Sequence, residues 1–271
     1  MKEFICWCHI PKTAGSTFRH ILFRNLGRTY LFPTHGLYEE SVKPENIRSM
    51  LKRGPRFCGV GGHRVSLALP YDLKRFNVLG IAHTRNPVDR FLSEYFYLRK
   101  ISKESIIADA KNVEDFIERI KATPGRIQEF FERQTISIGI SRTELKERME
   151  NGQIHLFPCE RFDESLVLLK KQYPGIFKDV SYKARNVNKS RPSTVAESVK
   201  DEIRELSPQD TELYQMSMEY LDHQLASHFT KEELESELKK LRFRCRIRAL
   251  FLDNLISISA KAYNGLNRCK I

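Results

Sequence analysis

Phe4-Ile5-Cys6-Trp7-Cys8-His9-Ile10-Pro11-Lys12-Thr13-Ala14-Gly15-Ser16-Thr17 is the stretch that decides the fold. Phe4–Ile10 is an apolar run rich in strand formers, broken only by His9. A continuous run, rather than an alternating one, is what a strand buried on both faces needs. Pro11 and Gly15 end it. Ser16-Thr17 then opens a helix whose apolar residues, Phe18, Ile21, Leu22 and Leu26, recur at helical spacing until Gly27 stops it.

The same pattern returns further along. Phe57–Val60 reads as a strand leading into Gly61-Gly62-His63. Asn77–His83 reads as another, followed by Arg85-Asn86-Pro87, with Asn86 as N-cap and Pro87 at the first helical position. The helix after it places Val88, Phe91, Leu92, Tyr95 and Leu98 on one face. Strand, turn, helix, repeated, predicts an α/β fold: a central parallel sheet flanked by helices. Such sheets bind ligands at the carboxyl ends of their strands, where 11–17 and 84–90 would lie. Residues 102–150 read as helices joined by polar loops. Ile154–Phe157 reads as a further strand and Phe162–Leu169 as the helix after it. Helices follow over Ala196–Leu206 and Gln209–Phe229. A domain over 1–230 and a basic helical C-terminal extension over 231–271 are expected.

Composition narrows the function classes. The chain has 271 residues and a net charge of +12, from 46 Lys and Arg against 34 Asp and Glu. That length buries a core without staples, and the charge favours anionic partners without choosing among them. No apolar run approaches the ~20 residues of a membrane span, and a short N-terminal segment before the first strand leaves no room for a secretion signal. The six cysteines (Cys6, Cys8, Cys58, Cys159, Cys245 and Cys269) are too sparse for a disulfide scaffold and contain no CxxC pair. No His/Cys/Asp spacing suggests a metal site.

Two segments carry chemistry. His9-Ile10-Pro11-Lys12-Thr13-Ala14-Gly15-Ser16-Thr17 sets a Lys, a Gly and hydroxyls at a helix N-terminus, an arrangement suited to an anion. An ordinary capped turn is the plainer alternative. It is not a Walker A loop, because Lys12 precedes the glycine. In Thr84-Arg85-Asn86-Pro87-Val88-Asp89-Arg90-Phe91-Leu92-Ser93-Glu94-Tyr95, Arg85 leaves a strand end and Ser93 lies two turns into the helix. Together they suit a second phosphate. Asp89 and Arg90 read as a solvated helix face.

The pair of segments resembles the signature of sulfotransferases that use 3′-phosphoadenosine 5′-phosphosulfate (PAPS), whose loops read P-K-[TS]-[GA]-x-[ST] and R-[DN]-P-x-x-R-x-x-S. The spelling, running on to Tyr97-Leu98-Arg99, looks most like the carbohydrate group that includes heparan sulfate 2-O-sulfotransferases. The resemblance is good over 4–30 and 57–100, weak over 154–193 and absent beyond about 230. It implies a fold related to the P-loop nucleotide kinases. It implies that Lys12 contacts the 5′-phosphosulfate and assists the leaving phosphate. It implies that Thr13, Ala14, Gly15, Ser16 and Thr17 cradle the 5′ end, and that Arg85 and Ser93 bind the 3′-phosphate. Asn188-Lys189-Ser190 resembles a late basic loop that closes over the nucleotide, so Lys189 and Ser190 join the set. His63 resembles the Gly-His that supplies the general base. His35, or Glu39 or Glu40, is the alternative base, while His9 and His83 read as packed or supporting groups. His20, His155, His223 and His228 carry no chemical role.

The expected reaction is therefore sulfuryl transfer from PAPS, without a metal, to a hydroxyl of a carbohydrate or glycoconjugate, with no nucleic-acid partner. Family members often work in the Golgi behind a membrane anchor; the lack of one here points to a cytoplasmic enzyme. The rivals are an ATP-dependent kinase on a related fold and a basic protein that binds nucleotide or acidic glycan without chemistry. The basic run 239–248, alternating with Leu241, Phe243, Cys245 and Ile247, reads as a helix ringed by charge. It is either a solvated helix or a docking element for an acidic glycan or an anionic membrane surface.

Overall fold

A computed structural model describes residues 1–32, 41–53, 56–73, 75–183 and 195–251. The decisive run forms β1 (Lys2–Cys8), and the turn after it delivers the chain to α1 (Gly15–Leu26). Next come β2 (Tyr30–Leu31), α2 (Pro44–Arg53), β3 (Gly59–Gly62), β4 (Phe76–Thr84) and α3 (Pro87–Ile101). A helical stretch follows: α4 (Ser105–Ala108), α5 (Val113–Ala122), α6 (Arg126–Phe131), α7 (Arg133–Ile138) and α8 (Arg142–Glu150). The chain continues through β5 (Ile154–Pro158), α9 (Phe162–Gln172), α10 (Glu197–Leu206), α11 (Pro208–His228) and α12 (Lys231–Phe251). The expected α/β architecture is present. The two-residue β2 and the helix α2 were not foreseen.

The five strands form one sheet in the order β2-β3-β1-β4-β5, and every pairing is parallel. β1 is central because both its faces are apolar. Phe4, Cys6 and Cys8 point to one side, packed with Ile47 and Leu51 of α2 and Leu145 and Met149 of α8. Ile5 and Trp7 point to the other, against Phe18, Ile21 and Leu22 of α1 and Leu166 and Leu169 of α9. This alternation explains the unbroken apolar run, since a strand covered on both sides has no solvent face. Cys6 and Cys8 are free thiols in this core, and burial pushes the Cys8 thiol up to about 12. A third cluster joins α3, α5, α6 and α10 through Phe91, Tyr95, Phe116, Phe131 and Ile203.

α12 lies along α9 and contributes the buried Leu241 to the same core as α1. Among the described residues, no helix is long and apolar enough to cross a membrane.

Candidate active site

The carboxyl ends of three adjacent strands meet at one place. Cys8 pairs with Gly62 on β3 and with Ala82 on β4, so the segments starting at His9, His63 and Arg85 leave the sheet at the same edge, β4 running two residues further. The order of the strands reverses around β1, which is where such sheets open a crevice. Lys12 and Arg85 are thereby brought together from sequence positions 73 residues apart, and Arg85 Nη1 donates to the Lys12 carbonyl at 3.1 Å.

The loop between β1 and α1 is held by unusual backbone. Lys12 has φ 69° and Ala14 φ 64°, a left-handed region that residues with a Cβ adopt at a cost of about 1–2 kcal/mol each. Thr13 is buried, and its hydroxyl donates to the Ile10 carbonyl at 2.9 Å, so this side chain secures the turn from inside. Ala14 is the N-cap of α1 and supplies no side-chain acceptor, which leaves the first N–H groups of the helix without a side-chain cap. Gly15 is required for a different reason. A Cβ there would fall 1.8 Å from His9 Nε2, so the imidazole of His9 lies directly on the glycine.

His9 is the middle ring of a stack. Its centroid is 4.5 Å from Trp7 and 3.8 Å from His63. Burial, then the positive charges it would face at His63 and Arg19, pushes its titration down to about 2, so it stays neutral. His63 is exposed at the rim with one face covered by His9. Its Nδ1 lies 2.9 Å from the His9 carbonyl. A carbonyl only accepts, so Nδ1 carries the hydrogen and the neutral ring presents the Nε2 lone pair. Desolvation is the largest influence on His63 and lowers its pKa from 6.5, against a smaller opposing effect of the His9 carbonyl.

Lys12 Nζ sits 4.0 Å from the centroid of the Tyr97 ring, on α3. Burial lowers its pKa, Glu94 acts in the opposite direction, and Arg85 and Lys100 lower it further. Ser93 lies one turn before Tyr97, half-buried on the same helix. Neither Lys12 nor Arg85 makes an ion pair among the described residues, and Lys12 stands just before the start of α1 with Arg85 bonded to its carbonyl. The donors and charges thus converge on a place suited to an oxyanion.

Sequence reading missed the frame behind Arg85. Gln134 of α7 is fully buried and clamps the arginine backbone: Arg85 N donates to Gln134 Oε1 at 2.8 Å, and Gln134 Nε2 donates to Arg85 O at 2.9 Å. Asp210 of α11 in turn accepts from the backbone N–H of Gln134 at 3.0 Å and of Thr135 at 2.8 Å. The reading of Arg90 as part of a solvated face is corrected. It is 1% exposed, bonded to Glu94 and to the Phe130 carbonyl, and 3.9 Å from Asp210. Packing around α3 explains this: α5, α6 and α10 cover its apolar face, and Phe130 of α6 and Asp210 of α11 close over the flank carrying Arg90. Asn86 caps α3 as expected, accepting from Val88 N at 3.1 Å. Of the remaining candidates, His83 is buried and His155 is held between the hydroxyls of Tyr173 and Tyr220. His35, Glu39, Glu40, Lys189 and Ser190 lie outside the described residues.

No curated protein matches the chain. Among solved structures it is similar to the crystal structure of a sulfotransferase from Alicyclobacillus acidocaldarius, at 14% identity and a TM-score of 0.43, over 81% of this chain and 97% of that one. The model of the sulfotransferase family matches residues 1–224, which take in all five strands, the β1–α1 loop and the Arg85 segment. By that match the chain belongs to the sulfotransferase family.

Proposed function

We propose that the chain transfers a sulfuryl group from PAPS to a hydroxyl of a carbohydrate or glycoconjugate acceptor. The observation that carries this reading is the convergence of Lys12, the start of α1 and Arg85 at the carboxyl edge of the sheet, with His63 leaving the neighbouring strand. The residues fit a donor with two anionic ends. Lys12 and the N–H groups of α1 suit the 5′-phosphosulfate, and Arg85, with Ser93 on α3, suits the 3′-phosphate. The affinity for a carbohydrate acceptor rests on the spelling of the Arg85 segment and on the Gly-His at 62–63, which resemble the 2-O-sulfotransferase group.

The acceptor oxygen forms its bond to sulfur as the bond from sulfur to the bridging oxygen breaks. The hydroxyl proton passes to His63 Nε2, the nitrogen left basic by the bond from Nδ1 to the His9 carbonyl. Negative charge builds on the departing 5′-phosphate. Lys12 and the helix end are fixed in advance where that charge appears, the arrangement that usually contributes most to such a step. The leaving group is 3′-phosphoadenosine 5′-phosphate (3′,5′-ADP).

The test is incubation of the purified chain with sulfur-labelled PAPS and a panel of neutral and acidic oligosaccharides. Label appearing in an oligosaccharide, with matching release of 3′,5′-ADP, supports the reading. Absence of labelled product across the panel, with transfer to a phenol or with ATP consumed instead, overturns it.

A further inference from the structure

The basic stretch of α12 is not ringed evenly by charge. Leu241 and Cys245 face the core, and Arg248 is drawn inward, with Nε 2.8 Å from Ser181 Oγ and Nη2 2.5 Å from Asp179. Arg242 turns to Asp163 at 3.1 Å. Lys240 pairs with Glu237 one turn earlier, at 2.7 Å. Three of the six cations in 239–248 are therefore engaged by the protein itself, Lys240 only through an exposed pair that headgroups can displace. What remains outward is an apolar stripe: Phe243 is 63% exposed, Ile247 39% and Leu250 71%. Their spacing of four and three residues puts them on one face, opposite Leu241 and Cys245. Lys239 and Arg246 flank the stripe on one side and Lys240 and Arg244 on the other. No acidic residue occurs from Leu238 to Phe251.

We infer that this outward face of α12 docks on an anionic lipid surface, with the helix lying in the headgroup plane. An anionic lipid surface satisfies both halves of the pattern. Acyl chains take the Phe, Ile and Leu side chains, and anionic headgroups take the cations on either side. An acidic polysaccharide would match the cations but leave Ile247 and Leu250 in water. A second copy of the helix would bring basic flank against basic flank, and three side chains fall short of the ~800 Å² per partner of a stable protein interface. The helix lies on the membrane rather than across it, because it is too polar and too short in apolar length to span one.

The experiment is co-sedimentation of the full chain with vesicles of phosphatidylcholine alone or with 30 mol% phosphatidylglycerol, at about 0.1 M NaCl. The wild-type chain is expected to pellet at least tenfold more with the anionic vesicles, and several-fold less when salt is raised to 0.5 M. Phe243→Ser with Leu250→Ser, and separately Lys239→Glu with Arg246→Glu, should each cut binding tenfold. All four positions are on the outer face of α12, so circular dichroism and thermal melting should be unchanged. A wild-type chain that stays in the supernatant overturns the inference. So does binding that both double variants retain, which would move it to another segment. A dimer in sedimentation velocity that the serine variant dissociates, without vesicle binding, also overturns it and assigns the stripe to a second copy.

Discussion

At the scale of single residues, the crevice depends on contacts that tolerate little change. Lys12→Ala removes the charge at the leaving group and should lower turnover about 10²–10³-fold while thermal melting stays near wild type. A rate within a few-fold of wild type would place the role elsewhere. Gly15→Ala forces the His9 ring off its seat, because the added Cβ would sit 1.8 Å from Nε2. Stability should fall by about 1–3 kcal/mol, with turnover dropping further through the shifted His63. His63 makes the pH prediction. Its base form is the neutral one and its pKa lies below 6.5, so the rate should be flat above pH 6.5 and fall as pH drops through the depressed value. In His63→Ala that acid limb should vanish along with most transfer. An unchanged profile in the variant would hand the base role to another group.

Elements position these residues from far along the chain. α7 reaches Arg85 through Gln134, and α11 anchors α7 through Asp210, whose carboxyl also faces Arg90. Gln134→Leu keeps the volume but strands one buried N–H and one buried carbonyl of Arg85, each costing about 1–3 kcal/mol. Melting should fall accordingly, and 3′,5′-ADP should bind at least tenfold more weakly in calorimetry. An unaltered nucleotide affinity would show that Arg85 needs no such clamp. None of this frame was legible beforehand, since a partner 49 residues away leaves no local pattern. Arg90 was misread for the same reason: an arginine in an amphipathic helix reads as exposed unless its distant acceptors are known. The strands, by contrast, were legible because a strand buried on both faces must be apolar throughout, and Asn86-Pro87 announced α3 through local capping chemistry. β2 went unseen because two residues carry no periodicity.

For the molecule as a whole, two buried neutral histidines tie stability to pH. His83 and His155 are each pushed down to about 3, mainly by burial, while in the unfolded chain they titrate near 6.5. Unfolding below that pH therefore takes up protons. The stabilisation is complete above about pH 6.5 and is lost as pH falls, at up to about 2.7 kcal/mol per unit for the two together. His83 contributes nothing in return, since both ring nitrogens lack a partner among the described residues and the ring sits against Phe18, Phe157 and Phe162. His83→Phe should raise stability at pH 7 by about 1–2 kcal/mol and, with His9 and His155 still in place, lower the slope by one histidine's share in urea titrations run between pH 5 and 6. A less stable variant would show that the imidazole is satisfied by something else.

The central place of β1 also bears on how the chain is made. It precedes in sequence both strands that sheathe it, and β4 does not begin until Phe76. At about 5–20 residues per second, a ribosome exposes the flat apolar segment Phe4–Cys8 for several seconds before its second partner exists. That interval is when a holdase would engage the nascent chain, and slowing translation between residues 8 and 76 should lower the yield of native protein more than slowing it after Pro158.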